Sequence, residues 1–223
     1  MRAQSHSTLE AYERWAPTYE PLAHNPLMRA EQQAMLDQWP EVAGRRALDL
    51  ACGSGRYARL LRRSEAATVT ALDFSPAMLG RVSNCQRVQA SMMSLPFRNG
   101  AFDVIVSGLA VGHAPSLVRW MVEVARVLAR DGALLYSDFH SEAARVGLTR
   151  SFKDERGCTY TVPHSSYEVD AQTEAAAAAG LQVESVTELR VGMEISEPFS
   201  GSDAFYRKWH GVPLVLIVRA RKG

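Results

Sequence analysis

Apolar residues in this chain come in short runs that switch between a strand period and a helix period. Ala47, Leu48 and Leu50 read as a buried strand, Arg56 to Arg63 as the helix after it, and Thr68 to Asp73 as a second strand. Gln86 to Ala90 and Phe102 to Gly108 repeat the strand signal. Ser116 to Ala129 then sets Leu117, Met121, Val124 and Leu128 on one helical face, stopped by Arg130-Asp131-Gly132. Ala133 to Phe139 is apolar up to Ser137-Asp138-Phe139-His140. Strands alternating with helices in this way predict a parallel α/β sheet.

The flanking segments are less regular. In residues 1–44, Asn25 before Pro26 marks a helix start, and Met28, Met35 and Leu36 give that helix an apolar face. Residues 141–164 are polar and read as an insertion or hairpin. Ser165-Ser166-Tyr167-Glu168 has capping-box spacing, and Gly180 closes a helix that includes Ala175 to Ala179. Gln182 to Leu189 and Leu214 to Arg221 are two further strands. Between them Met193, Phe199, Phe205, Tyr206, Trp209 and His210 form an aromatic segment that either closes over a ligand or covers a sheet edge by ordinary packing.

The chemistry begins at Gly53-Ser54-Gly55, between the first strand and its helix. Glycines there let backbone approach a ligand, and the helix start offers free N–H groups, as in nucleotide-binding α/β proteins. Gly53-x-Gly55-x-x-Ala58 also satisfies the dinucleotide fingerprint, with Asp73 about twenty residues on. Asp49 separates the two cases. A carboxylate at the strand end repels a pyrophosphate and attracts a ligand bearing an ammonium and a sulfonium, which describes S-adenosylmethionine.

Leu48-Asp49-Leu50-Ala51-Cys52-Gly53-Ser54-Gly55 resembles the first motif of class I S-adenosylmethionine-dependent methyltransferases. Leu72-Asp73-Phe74-Ser75-Pro76-Ala77-Met78-Leu79 is similar to the second motif. Leu95-Pro96-Phe97 with Phe102-Asp103-Val104-Ile105, and Ala125-Arg126-Val127-Leu128, follow in family order across roughly residues 45 to 140. The closest flavour is the branch holding quinone-biosynthesis methyltransferases and the malonyl-carrier-protein carboxyl methyltransferase, which do not share one substrate. The resemblance implies an α/β, seven-stranded, Rossmann-like doubly wound sheet with helices on both faces and a C-terminal antiparallel hairpin. It implies one domain over 1–223, with 1–44 as a helical cap, 45–140 as the cofactor half and 141–223 as the substrate side.

For the cofactor, the resemblance assigns Asp49, Ala51, Gly53 and Gly55 to the first loop, and Asp73 to the ribose hydroxyls with Phe74 beside it. Ser91 and Met92 fall at the adenine edge, Gly108 after the fourth strand, and Tyr19 in the cap, where Tyr12 and Trp15 are either contacts or anchors. The family usually carries an Asp where this chain has Ser91, so adenine would lean on backbone N–H groups and on Met92 and Met93. Asn-Pro-Pro-Tyr, which grips planar amino groups in adenine- and glutamine-amide methyltransferases, does not follow the fourth strand. Those acceptors are disfavoured.

His113 and His140 end adjacent strands at the ligand edge and are the candidate catalytic bases, each equally readable as a loop-holding histidine. A base is required for an acceptor that carries a proton and not for a carboxylate. O-, N- and C-methylation all stay open, as do a non-catalytic cofactor-binding protein and, third, a nicotinamide dehydrogenase. A net charge of +1 without long basic runs disfavours nucleic acid as substrate and leaves a small molecule or carrier-bound acyl group. Cys52, Cys85 and Cys158 form no C-x-x-C pair, which predicts reduced thiols, no metal site and a cytoplasmic protein. No signal-peptide core or membrane-length apolar run is present. Oligomeric state is not legible.

Overall fold

The computed structural model describes residues 4–5, 7–192 and 207–223. The strands are β1 (Gln4–Ser5), β2 (Arg46–Leu50), β3 (Thr68–Asp73), β4 (Gln86–Gln89), β5 (Phe102–Gly108), β6 (Leu128–Phe139), β7 (Ser151–Lys153), β8 (Thr159–Thr161), β9 (Leu181–Arg190) and β10 (Pro213–Lys222). The helices are α1 (Thr8–Trp15), α2 (Pro26–Leu36), α3 (Arg56–Arg63), α4 (Pro76–Leu79), α5 (Leu117–Val127), α6 (Ser141–Arg145) and α7 (Val169–Ala178). Of the aromatic segment between the last two strands, Met193, Phe199, Phe205 and Tyr206 lie outside the described residues.

Seven strands form one sheet in the order β4-β3-β2-β5-β6-β10-β9. Pairing is parallel from β4 to β6, and β10 runs antiparallel to both β6 and β9. The doubly wound sheet with an antiparallel hairpin is as expected. Its central strands are buried on both faces, which is why they read as nearly continuous apolar runs. Leu48, Leu50, Leu72 and Ile105 pack on one face against Trp120, Met121 and Val124 of α5 and Ala176 of α7. Ala47, Val69, Ala71 and Val106 pack on the other against Met35 of α2 and Tyr57 and Leu61 of α3. The chain winds outward from β2 to β4, then returns to β5 on the other side of β2. The loops after β2 and β5 therefore diverge, leaving a crevice at the strand ends.

The boundaries that depart most from the sequence reading are set by partners distant in sequence. Helix α5 ends at Val127 because the Lys222 ammonium donates to the carbonyls of Ala125 (2.6 Å) and Leu128 (2.8 Å), and the chain is extended from Leu128 onward. Arg130-Asp131-Gly132 is consequently an irregularity inside β6, not a helix stop; a side chain on Gly132 would lie 2.8 Å from the Ala129 carbonyl. The capping box at Ser165 does not form. Glu168 is the N-cap of α7 without a side-chain cap, and its carboxylate accepts from Ser141 (2.9 Å) and Arg145 (2.6 Å).

The remaining elements roof the crevice. Asn25 caps α2 as expected, accepting from the Met28 N–H at 2.8 Å. The polar stretch after β6 forms α6 and the β7–β8 hairpin, and β8 also pairs with β1 in a small separate sheet. Ala11 of α1 packs with Phe152, Tyr160 and Val162 beneath it. Glu13 fastens α1 to the β3 loop by accepting from Ser75 Oγ at 2.5 Å, and Arg81 donates to the Tyr19 carbonyl at 2.9 Å. Cys52, Cys85 and Cys158 are free thiols. No helix among the described residues is long and apolar enough to cross a membrane.

Candidate active site

The crevice and its roof enclose a cavity of about 680 Å³, within the range of roughly 300–1,000 Å³ usual for small-molecule sites. Its β2 side is built by unusual backbone. Ala51 (φ 56°) and Gly53 (φ 53°) are both left-handed, a conformation that costs a residue with a Cβ about 1–2 kcal/mol. A Cβ on Gly53 would lie 3.9 Å from the Tyr19 hydroxyl, so the roof closes directly over this glycine. Gly55 is left-handed too (φ 81°) but does not line the cavity; its missing side chain makes room for Val82, 3.1 Å from where a Cβ would sit. The expected ligand contact at Gly55 is therefore a packing contact.

Two buried carboxylates flank this turn. Asp49 is 1% exposed, lines the cavity and accepts from the Ala58 N–H of α3 at 2.7 Å. Burial pushes its pKa up to about 7, against the Ala58 hydrogen bond and the Arg56 charge. Asp73, at the end of β3, accepts from the Gly53 N–H (2.8 Å) and the Ser75 N–H (2.9 Å), which ties the two loops together. Burial raises its pKa as well, against those hydrogen bonds. The helix-capping role falls to Ser75, which accepts from the Met78 N–H. Phe74, Ser91 and Met92 line the same cavity, and Ser91 Oγ accepts from the Met93 N–H at 3.1 Å.

The opposite wall comes from the β5 loop and the roof. Gly108 lines the cavity, yet the space of its absent side chain belongs to Tyr57, whose ring would lie 2.2 Å from a Cβ. Leu109 next to it is left-handed (φ 55°). His113 lines the cavity, with Nδ1 3.1 Å from the Pro163 carbonyl and Nε2 2.8 Å from the Tyr12 hydroxyl. A carbonyl only accepts, so Nδ1 carries the proton and Nε2 presents a lone pair. Burial and then the Arg150 charge push the His113 pKa down to about 2.

His140 is not in this site. It sits one residue beyond Phe139, which takes the cavity position, and alternation turns it to the other side. Its Nδ1 accepts from the Glu142 N–H at 3.1 Å as the cap of α6, and its Nε2 lies 3.2 Å from Glu188 of β9. The second candidate base is thus a cap in the sheet edge. Trp209, buried with Val191 and Leu214, is likewise outside the cavity.

Residues 48–136 match the family described as "Methyltransferase domain". A crystal structure of an S-adenosylmethionine dependent methyltransferase from Mesorhizobium loti superimposes with a TM-score of 0.69 over 86% of this chain and 98% of that one, at 24% identity. Residues 48–136 carry the domain of the class I S-adenosylmethionine-dependent methyltransferases. Among curated members, a malonyl-[acyl-carrier protein] O-methyltransferase from Enterobacter lignolyticus is 33% identical over 60% of this chain and 53% of its own length. A 2-phytyl-1,4-naphtoquinone methyltransferase from Nostoc sp. is 30% identical over 58% of this chain and 63% of its own. The matched stretch thus spans little more than half of these relatives.

Within this methyltransferase fold, the sequence reading missed residues that shape the cavity without belonging to a motif. Glu31 of α2 is fully buried, ion-paired with Arg56 at 2.7 Å, and accepts from the Tyr57 (2.7 Å) and Ser137 (2.5 Å) hydroxyls. The available signal was its place on one helical face with Met28 and Met35. Phe152 stacks on Trp15 at 4.8 Å and makes the roof aromatic. Arg150 donates to the Tyr12 hydroxyl and to His113 Nε2, both at 2.6 Å. This last contact makes one prediction direct. Long-range ¹⁵N spectra should show His113 as the neutral Nδ1–H tautomer from pH 5 to 8, because protonating Nε2 would place a cation against Arg150 in a buried site. A titration midpoint near the ordinary histidine value would refute it.

Proposed function

We propose that this chain transfers a methyl group from S-adenosylmethionine to a small molecule or carrier-bound acyl group. The observation that carries the reading is that Asp49, Gly53 and Asp73, from the ends of adjacent strands, open onto one roofed cavity at the switch point of the sheet. The residues present fit that cofactor. Gly53 offers a cradle with no side chain, Asp49 a buried acid for a cationic group, and Asp73 carboxylate lone pairs left over for ribose hydroxyls after its two backbone bonds. Phe74 and Met92 would hold the adenine faces, with Ser91 at the edge and Tyr19 over the glycine turn. S-adenosylmethionine supplies a methyl group on a positively charged sulfur that becomes a neutral thioether once the methyl has left.

What the protein contributes is position. Bringing two reactants into line is worth up to roughly 7–11 kcal/mol, and α1, Tyr19 and the β7–β8 hairpin partly cover the cavity in which this happens. His113 serves as a hydrogen-bonding residue of the acceptor side, and His140 takes no part in the site. The three free thiols support a reducing, cytoplasmic setting. The described part of residues 1–44 acts as a cap within a single methyltransferase unit.

The test is a pair of thermal-shift titrations. S-adenosylhomocysteine should raise the melting temperature in a saturable way, and NAD should not, since the Asp49 carboxylate opposes a pyrophosphate at the glycine turn. Stabilisation by NAD alone would replace this reading with the dehydrogenase one.

A further inference from the structure

The acceptor end of the cavity holds a cation with no acid to pair with. Arg150 lines the cavity, and its guanidinium lies over the Phe139 ring at 4.7 Å. Its hydrogen-bond partners are all uncharged: the Tyr12 hydroxyl, His113 Nε2 and the Leu109 carbonyl. A guanidinium has more N–H groups than these take up. Arg56, which also lines the cavity, is by contrast neutralised by Glu31 at 2.7 Å. Arg150 has no such partner among the described residues.

The surroundings leave that charge in force. Asp138 is the buried acid that acts on Arg150 through space, but it makes no ion pair with it, and its Oδ2 has no hydrogen-bond partner. Burial raises the Asp138 pKa to about 7, against the Arg150 charge. His113 is neutral and burial keeps the Tyr12 phenol protonated. Beyond the guanidinium, the wall is Trp15 and Phe152, stacked with 8° between their planes. A planar cationic fork beside flat apolar rings matches a carboxylate attached to an apolar body.

We infer that the methyl acceptor carries a carboxylate, which Arg150 holds at the Tyr12 and His113 end of the cavity while its apolar body lies along Trp15 and Phe152. The inference rests on the methyltransferase reading of the same cavity. A carboxylate oxygen brings the electron pair of the new bond to carbon and has no proton to lose, while the pair of the broken carbon–sulfur bond stays on sulfur. No base is then needed, which agrees with a His113 whose Nε2 lone pair is already taken by Arg150 and Tyr12.

Calorimetric titration of the full chain tests this in two stages. S-adenosylhomocysteine is titrated first, and its failure to bind would remove the methyltransferase reading together with this inference. On the saturated protein, phenylacetate should then bind about tenfold or more tightly than phenylacetamide and benzylphosphonate, and Arg150→Gln should abolish the preference for the acid over the amide. The inference alone is overturned if the amide or the phosphonate binds as well as phenylacetate. It is also overturned if phenylacetate does not bind the unmodified protein, or if Arg150→Gln keeps the preference.

Discussion

Glu31→Leu should lower folding stability by about 3–5 kcal/mol, the range for removing one partner of a buried ion pair. The Arg56 guanidinium, whose side chain is 10% exposed, would be left without its carboxylate 2.7 Å away. The Tyr57 and Ser137 hydroxyls would lose their acceptor as well. Each orphaned group adds its own desolvation cost. Replacing Arg56 at the same time, as in Glu31→Leu with Arg56→Met, should recover part of the loss, because the uncompensated charge is then gone. Reversible urea unfolding of the three proteins measures both effects. A Glu31→Leu variant within 1 kcal/mol of the parent, on the scale of an ordinary surface change, would show that the pair is not what holds α2 to the sheet.

The second large effect concerns binding. Asp73→Ala should weaken S-adenosylhomocysteine by about 1.5–3 kcal/mol, a factor of roughly 10 to 150, as expected for hydrogen bonds to a charged acceptor. The structure adds a reason for a companion variant. Asp73 also accepts the N–H groups of Gly53 and Ser75, so truncating it loosens the glycine turn along with the ligand contact. Asp73→Asn keeps the size and one acceptor oxygen, and should fall between the parent and Asp73→Ala. An unchanged dissociation constant in folded Asp73→Ala would take this residue out of the cofactor site.

The order of strands and the β2 turn were legible because their chemistry is local. Ala47 to Gly55 announces a strand, an acid and a turn within ten residues' reach, and Asp73 ends an apolar run where the sheet meets ligand. Arg150 was not legible, since it sits in a polar stretch without period and acquires meaning only when β7 folds back over the β5 loop. His140 misled for the opposite reason. Its position at a strand end suggested the site, but the alternation that aims Phe139 inward aims the next residue away. Glu31 was half legible: a glutamate in a helix reads as solvent-facing by type, and as core by its spacing from Met28 and Met35. The boundary errors at Val127 and Ser165 share one cause. Both were decided by partners distant in sequence, the Lys222 ammonium and the Gly112 carbonyl, which accepts from the Ser165 N–H.

Strand β10 is threaded between β6 and β9, both of which precede it in the chain. During synthesis the parallel strands β2 to β6 can assemble as soon as they are made, but β6 then stands as an open edge carrying Leu134, Leu135 and Tyr136, all fully buried in the finished molecule. β9 has nothing to pair with at that stage, because its one sheet neighbour among the described residues is β10. Residues 213–222 therefore act as a keystone. Until they slide into place, a growing chain exposes an adhesive sheet margin to its neighbours on the ribosome, and shielding that margin is the task the cell's holding chaperones would meet in this protein.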